Sequence, residues 1–181
     1  MAIVALACPG LAACGGGQAP SAAPSTSAVN SAFRGSPAPL ASLHGQAGQL
    51  LSGGTTAFHA RLARLRGHPV VVNKWASWCG PCQTEFPAFQ RAAVRYGRRV
   101  AFIGLDSKDR NASAKAFLRR FPVTYPSYVD PDQTIANSVG ATQFFPQTVY
   151  ITARGKQTFV HAGPYESAAA LERDIRSYLL R

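Results

Sequence analysis

The sequence predicts an α/β domain in which helices flank a mixed central sheet. Short apolar segments rich in β-branched residues alternate with segments whose apolar residues recur at helical spacing. This alternation favours parallel strands joined by helices, and a final pair of strands separated by Ala153-Arg154-Gly155 adds an antiparallel hairpin. The chain of 181 residues is long enough for one domain with short additions, and its sequence contains no internal repeat.

The predicted elements follow from local patterns of apolar residues. Phe58, Leu62 and Leu65 share one face of the first helix, and the run from Val70 to Trp75 is apolar enough to be a buried central strand. In chain order the predicted elements are a helix at 55–66, a strand at 70–75, a helix that ends at Gly97, a strand at 100–105, a helix at 111–121, a strand at 124–129, a short helix that ends at Val139, strands at 148–152 and 156–161, and a closing helix around 171–178.

The chain is strongly basic, with 19 Lys and Arg residues against 8 Asp and Glu residues and a net charge of +11. No charged residue precedes Arg34, so the whole excess belongs to residues 34–181. Such a surface can attract nucleic acid, an anionic membrane or acidic partners. The arginines are scattered over several predicted helices and form no recognition helix with interleaved aromatic residues. We therefore expect no nucleic-acid binding and interpret the arginines as solvated surface.

The four cysteines form two pairs. Cys8 and Cys14 lie in the apolar N-terminal stretch, and Cys79 and Cys82 form a CxxC motif inside the predicted domain. A disulfide-stapled scaffold would distribute its cysteines through the fold. A zinc site needs two more ligands, and the four histidines show no paired ligand spacing. Since the only methionine is Met1, copper delivery lacks its soft ligands. We expect no metal and no cofactor besides the cysteine pair itself.

The CxxC motif directly follows a predicted strand and opens a predicted helix. There, unpaired backbone N–H groups and the helix dipole favour the thiolate form of Cys79. Cys79 is therefore the expected nucleophile. Cys82 lies one turn further into the helix and is expected to attack the mixed disulfide and release the product. Pro81 needs no N–H donor in the first helical turn, and Gly80 keeps the turn uncrowded.

Three segments resemble the thioredoxin superfamily. Residues 75–82, Trp-Ala-Ser-Trp-Cys-Gly-Pro-Cys, look like its active-site strand and loop, and residues 145–148, Phe-Pro-Gln-Thr, resemble its cis-proline loop. Residues 83–87, Gln-Thr-Glu-Phe-Pro, are similar to the TlpA/ResA/CcmG branch. The match covers about residues 55–181 and implies a thioredoxin fold. The surplus sequence at 111–129, before the cis-proline loop, is typical of the αβ insertion of that branch.

The resemblance implies which residues meet the substrate. Pro146 is expected to be cis and to face the disulfide, with substrate backbone pairing beside it like an added strand. Phe145 would then set access to the site, and an ordinary core aromatic is the alternative for this residue. With Trp78, Gly80 and Pro81, these two residues form the expected substrate-binding set.

Three residues near the motif bear on proton transfer and charge. Thioredoxin has a buried acid where this chain has Asn73, which cannot accept a proton at neutral pH. Glu85 lies one helical turn after Cys82, and the resemblance implies that it acts as the catalytic proton acceptor. A solvated helix residue is the alternative for Glu85. Lys74 is a charge inside an apolar strand, and we expect it to extend its ammonium group to the strand edge.

The N-terminal residues have the features of an export signal. Residues 1–14 resemble a signal and lipobox segment, because Leu11-Ala12-Ala13 precedes Cys14 as in a lipidated bacterial protein. The apolar run is too short to cross a bilayer, which needs about 20 residues. No Lys or Arg precedes it, so a start upstream and a disordered apolar N-terminus are alternatives. Residues 15–40 are expected to form a flexible Gly/Ala/Pro/Ser tether, and residues 41–181 the domain.

Together these features predict an exported, monomeric protein tethered at the outer face of the bacterial cytoplasmic membrane. The resemblance implies a thiol–disulfide oxidoreductase, in the first place a reductase of exported proteins that receives electrons from a membrane donor. Apocytochrome CxxCH thiols, and thus cytochrome c maturation, are one candidate target. The alternatives are an oxidant that donates disulfides and a non-catalytic binding or chaperone module. A peroxiredoxin is disfavoured, because Ala76 stands where its peroxidatic cysteine motif has threonine.

Overall fold

The computed structural model describes residues 24–181, which form a six-stranded sheet with helices on both faces. The strands are β1 (Leu50–Leu51), β2 (Val70–Trp75), β3 (Ala101–Ser107), β4 (Ser127–Asp130), β5 (Gln147–Ile151) and β6 (Gln157–Ala162). The helices are α1 (Thr26–Phe33), α2 (Ala38–His44), α3 (Gly54–Arg64), α4 (Gly80–Tyr96), α5 (Asn111–Arg120), α6 (Thr134–Ser138) and α7 (Ala168–Leu179). The predicted mixed α/β architecture is confirmed.

The sheet has the strand order β1-β4-β3-β2-β5-β6. The first four strands in this order are parallel, whereas β5 pairs with β2 and β6 pairs with β5 in antiparallel fashion. Trp75 pairs with Asp106, and Lys74 pairs with Gln147. The last residues of β2 and β3 and the first of β5 therefore meet at one end of the sheet, which we call the carboxyl end. The opposite end, where β2 and β3 begin, is the amino end.

Two apolar cores cover the two faces of the sheet. All six residues of β2 are buried, and they alternate between the cores. Val71 and Trp75 belong to the core under α4, α5 and α7, whereas Val70 and Val72 belong to the core under α2, α3 and α6. Burial on both faces explains why apolar residues occupy most positions of β2.

The packed domain begins earlier than predicted, so the assignment of residues 15–40 to a flexible tether is wrong for its described part. Ser25 caps α1 by accepting a hydrogen bond from the N–H of Ala28. Leu40 on α2 is fully buried, and the ring of Phe33 stacks on His44 with 3.6 Å between centroids. Composition alone missed these helices, because α2 is held by the buried side chains of Leu40 and Leu43, and α1 by the contact of Phe33 with His44.

The proposed signal and lipobox segment, with Cys8 and Cys14, lies outside the described residues. Within residues 24–181, every helix is too short or too polar to cross a membrane.

Candidate active site

The two cysteines of the CxxC motif lie where β2 leads into α4. Cys79 is the N-cap of α4, and its Sγ accepts a hydrogen bond from the N–H of Cys82 at 3.1 Å. The two residues form a disulfide with their Cα atoms 5.2 Å apart. Cys79 is 3% exposed and Cys82 is 0% exposed, while Gly80 and Pro81 between them are exposed. An attacking thiol can therefore reach the disulfide only from the side of Cys79.

The loop before the disulfide is held by residues that follow β3. The N–H of Ser77 donates to the carboxylate of Asp109. The indole of Trp78 is 58% exposed, and its Nε1 donates to the carbonyl of Lys108 at 2.8 Å. These contacts present the Trp78 ring to solvent directly beside Cys79.

The Phe145–Pro146 peptide bond is cis and lies at the carboxyl end of the sheet, just before β5. Pro146 is buried, whereas Phe145 is half-buried and contacts the core under α4. The ring of Phe145 also lies 5.0 Å from the ring of Trp78, between centroids. Its neighbour Phe144 is 58% exposed and was not singled out from the sequence. We call Trp78, Phe144 and Phe145 the aromatic rim.

Glu85 is fully buried on the face of α4 that carries Cys82, so the solvated-residue alternative is wrong. Its Oε1 accepts a hydrogen bond from Nδ2 of Asn73 at 2.7 Å, and its Oε2 accepts one from the N–H of Tyr165 at 3.1 Å. Burial raises the pKa of Glu85 from 4.5 to about 7, and the two hydrogen bonds oppose this rise. Near neutral pH this carboxyl can therefore both accept and return a proton.

Asn73 suits either protonation state of Glu85. Its Nδ2 donates to the carboxylate, while its Oδ1 is buried and has no hydrogen-bond partner within the described residues. A rotated Asn73 amide would present Oδ1 as the acceptor for a protonated Glu85. Compared with thioredoxin, which has a buried acid at the position of Asn73, the titrating group of this chain therefore lies on the facing helix and not on the strand.

Lys74 does not reach the strand edge as predicted. It is 0% exposed, and its Nζ donates to the carbonyl of Ala141 at 3.0 Å and lies 4.2 Å from the ring centroid of Phe145. Burial lowers the pKa of Lys74, Lys108 lowers it further, and Asp130 opposes both. The expectation failed because the carbonyl and the ring satisfy the ammonium group inside the domain. Lys74 therefore holds the loop that carries Phe145.

The comparisons with known proteins agree with this geometry. The model of the AhpC/TSA family matches residues 35–160. The chain belongs to the AhpC/TSA family. A thiol:disulfide interchange protein DsbE from Pseudomonas fluorescens biotype C is 35% identical over 94 residues, which are 51% of this chain and 51% of that protein. The thiol-disulfide oxidoreductase ResA of Geobacillus thermodenitrificans is 27% identical over 120 residues, which are 66% of each chain.

A solved structure within the same range of similarity is that of DsbF from Mycobacterium tuberculosis, in mixed oxidised and reduced forms. It is 29% identical, has a TM-score of 0.58, and covers 63% of this chain and 83% of that one. The predicted thioredoxin fold and the resemblance to ResA-like proteins are confirmed. This AhpC/TSA-family chain spans about half to two thirds of the length of the curated relatives it matches.

Asp106 is a second buried acid at the carboxyl end, and sequence reasoning missed it. It is 1% exposed, and neither carboxylate oxygen has a hydrogen-bond partner within the described residues. Burial in the first place, together with the nearby carboxyls of Asp109 and Asp130, raises the pKa of Asp106 to about 8. The sequence signal for this residue was an aspartate directly after the apolar run that ends at Leu105. Among residues 24–181, no group of three or more His, Cys, Asp or Glu residues could hold a metal ion.

Proposed function

We propose that this chain is a thiol–disulfide oxidoreductase that exchanges its Cys79–Cys82 disulfide with the thiols and disulfides of other proteins. The observation that carries the proposal is a disulfide at the N-terminus of α4 with the buried carboxyl of Glu85 one turn behind it. The names of the relatives, which are thiol:disulfide interchange proteins and oxidoreductases, support the same class of reaction. The disulfide itself is the only redox group that the proposed reaction needs.

In the reducing direction, the Cys79 thiolate attacks one sulfur of a substrate disulfide. A mixed disulfide forms, and the first substrate sulfur leaves as a thiolate. Cys82 then gives its proton to Glu85 and attacks the sulfur of Cys79, which restores the Cys79–Cys82 disulfide and releases the second substrate sulfur. Two electrons pass from the cysteine pair to the substrate, and an external dithiol must return them before the next cycle.

We propose that the substrate-binding set expected from the sequence, together with Phe144, binds an extended segment of a protein substrate. The exposure of Trp78, Gly80 and Pro81 beside Cys79 and the contact of Phe145 with Trp78 support this role. We propose exported proteins as substrates, a membrane donor as the source of electrons, and a monomer as the working form. The lipobox-like Leu11-Ala12-Ala13-Cys14 supports a lipid anchor on Cys14 at the outer face of the cytoplasmic membrane.

The equilibrium reduction potential tests the reaction and its direction. The full chain carrying Cys8→Ser and Cys14→Ser is titrated with dithiothreitol or glutathione, with the fluorescence of Trp75 and Trp78 as the readout. We expect a two-electron transition at about −250 mV or lower, in the range of reducing thioredoxins. A reduction potential of about −120 mV would make the protein an oxidant instead. The Cys79→Ser variant is the control, and the absence of any transition in the parent chain would refute the oxidoreductase.

A further inference from the structure

Three turns meet at the amino end of the sheet and carry exposed positive charge. The first turn precedes β2, the second precedes β3, and the third connects β5 to β6. The N–H of Gly67 donates to the carbonyl of Ala153 at 3.0 Å, and that of Ala101 to Pro69 at 2.9 Å, so the turns lie side by side. In and beside these turns lie six exposed cationic residues, which we call the basic end: Arg64, Arg66, Arg98, Arg99, Arg154 and Lys156.

No acid neutralises the basic end. Residues 64–69, 97–100 and 152–156 contain neither Asp nor Glu, and no ion pair within residues 24–181 includes any of the six cations. Asp106, Asp109, Asp130 and Asp132 lie at the opposite end of the sheet, and Glu172 pairs with Arg95 and Arg176, which are not part of the basic end. The basic end therefore carries positive charge that no ion pair within residues 24–181 offsets.

The N-terminal segment meets the domain beside the basic end. A side chain at Gly35 would come within 3.6 Å of the guanidinium of Arg98, and one at Gly97 would touch the ring of Phe33. The turn between α4 and β3 thus lies against the residues that connect α1 to α2. A lipid anchor at Cys14 would therefore be attached through a segment that joins the domain beside the basic end.

We propose that the basic end is a docking surface for the anionic headgroups of a lipid bilayer. Clusters of four to eight Lys or Arg residues suffice for such binding, and each cation near an anionic leaflet strengthens it about fivefold. The docking orients the domain rather than anchoring it. It goes beyond the proposed redox reaction and does not depend on it.

Docking in this orientation keeps the disulfide away from the lipid. Cys79 caps one end of α4, and Arg98 and Arg99 follow the other end. Because α4 has 17 residues, about 25 Å of helix separates the disulfide from the bound headgroups. The disulfide and the aromatic rim then face the solvent, where protein substrates can reach them.

The arrangement favours lipid over single-stranded nucleic acid. Single-stranded nucleic acid is bound by aromatic side chains that stack on the bases next to the cations. Among the described residues, the two most exposed large apolar side chains, Trp78 and Phe144, lie at the carboxyl end. A bilayer surface requires only the positive charge that the basic end provides.

Vesicle binding tests the proposal on the full oxidised chain with Cys14→Ser, so that no lipid is attached. We expect co-sedimentation with vesicles of equal parts phosphatidylglycerol and phosphatidylcholine, and none with phosphatidylcholine alone. Binding to the anionic vesicles should disappear at about 1 M salt, where the screening length is about 3 Å. Equal binding to both vesicle types, or binding that survives high salt, would overturn the proposal.

Two variants locate the surface. Arg98→Glu with Arg99→Glu should weaken binding to the anionic vesicles by about thirtyfold or more. The control is Arg110→Glu with Lys115→Glu, at the start and in the middle of α5, which changes the net charge equally and should change binding only a few-fold. Arg154→Glu with Lys156→Glu, on the hairpin turn, repeats the test should the first pair disturb folding. Equal weakening by the basic-end and control variants would show that net charge alone drives binding, against the proposal.

Fluorescence tests the orientation. Both tryptophans, Trp75 and Trp78, lie at the carboxyl end, so vesicles that contain brominated phosphatidylglycerol should leave their fluorescence unchanged on binding. Quenching would overturn the orientation. Tighter binding to labelled polyuridine than to anionic vesicles, lost in Arg98→Glu with Arg99→Glu, would assign the surface to nucleic acid instead. Insulin reduction by the same samples reports the redox reaction separately, so a failure of either proposal is distinguishable.

Discussion

Each face of β2 buries one polar residue, and the two residues have different partners. Asn73 and Lys74 are adjacent, and both are almost fully buried. Asn73 faces α4 and meets a carboxyl that titrates near neutral pH, so this side, with Glu85 and Cys82, is the proton face. Lys74 faces the other way and meets a carbonyl and the ring of Phe145, so this side is the loop face.

The difference separates two tasks of one active site. In the proposed reaction the proton face exchanges a proton with the buried Cys82, so its properties should depend on pH. The loop face fixes the position of Phe145 in the aromatic rim, and its properties should depend on the substrate. Variants on the two faces should therefore change different measured quantities.

The largest expected effect is on the pH dependence of stability. The folded-state pKa of Glu85, about 7, exceeds the ordinary value of 4.5, so the folded chain binds a proton that the unfolded chain releases. The free energy of unfolding should fall as the pH rises from 4.5 to 7, by up to about 3 kcal/mol from Glu85. Urea unfolding at several pH values measures it. The Glu85→Gln variant should lose this part of the slope, and exposed Glu166→Gln should keep it; parallel curves for Glu85→Gln and the parent would contradict the assignment.

The Glu85→Gln variant should also slow turnover by about 100-fold at pH 7, because Cys82 loses its proton acceptor. Stopped-flow measurement of product release from the mixed disulfide checks this. Its rate in the parent chain should change with a midpoint near pH 7, and that midpoint should vanish in the variant. A variant that keeps the parent rate would remove Glu85 from the mechanism, whereas Glu166→Gln should behave like the parent.

On the loop face, Lys74→Met should raise KM for protein disulfides by about tenfold, because Phe145 loses the ammonium group beneath its ring. The value of kcat and the midpoint near pH 7 should stay unchanged, which a general loss of structure would not allow. Steady-state insulin reduction measures both. Exposed Lys115→Met is the matched control. A shifted pH midpoint in Lys74→Met would show that the two faces are coupled.

The smallest expected effect concerns the aromatic rim. Phe144→Ala should lower kcat/KM for a protein disulfide by about threefold, since one exposed aromatic contact with the substrate is lost. Reduction of a small disulfide such as cystine should be unaffected, because cystine bound at Cys79 is too small to need a contact with Phe144. Tyr178→Ala, on α7, removes an aromatic side chain that is 36% exposed and lies outside the aromatic rim, and it should change neither rate. An equal loss with both substrates would argue against a role in protein recognition.

The sequence was most informative where the signal is local. The apolar run of β2, the CxxC motif and the helix that this motif opens each lie within one segment, and the structure has them as predicted. The spacing of Glu85 from Cys82 also belongs to one helical turn. The sequence therefore predicted those elements whose pattern of residues can be recognised within one segment.

What the sequence could not provide depends on distant partners. Lys74 is satisfied by the carbonyl of Ala141, 67 residues later, so nothing near Lys74 indicated burial. Leu40 gave too short an apolar pattern to predict α2, which owes its place to packing on the sheet. Asp106 resembles an ordinary strand end until the fold brings Asp109 and Asp130 near it.

The cap of α4 joins electron transfer to folding in one thermodynamic cycle. Cys79 supplies the acceptor for the N–H of Cys82, and the same sulfur changes its oxidation state. The difference in unfolding free energy between the oxidised and reduced chains therefore equals the difference in reduction potential between the folded and unfolded chains. For this two-electron couple about 30 mV corresponds to about 1.4 kcal/mol. An electrochemical titration in buffer and again in denaturant thus measures, in millivolts, how much the disulfide changes the stability of the domain.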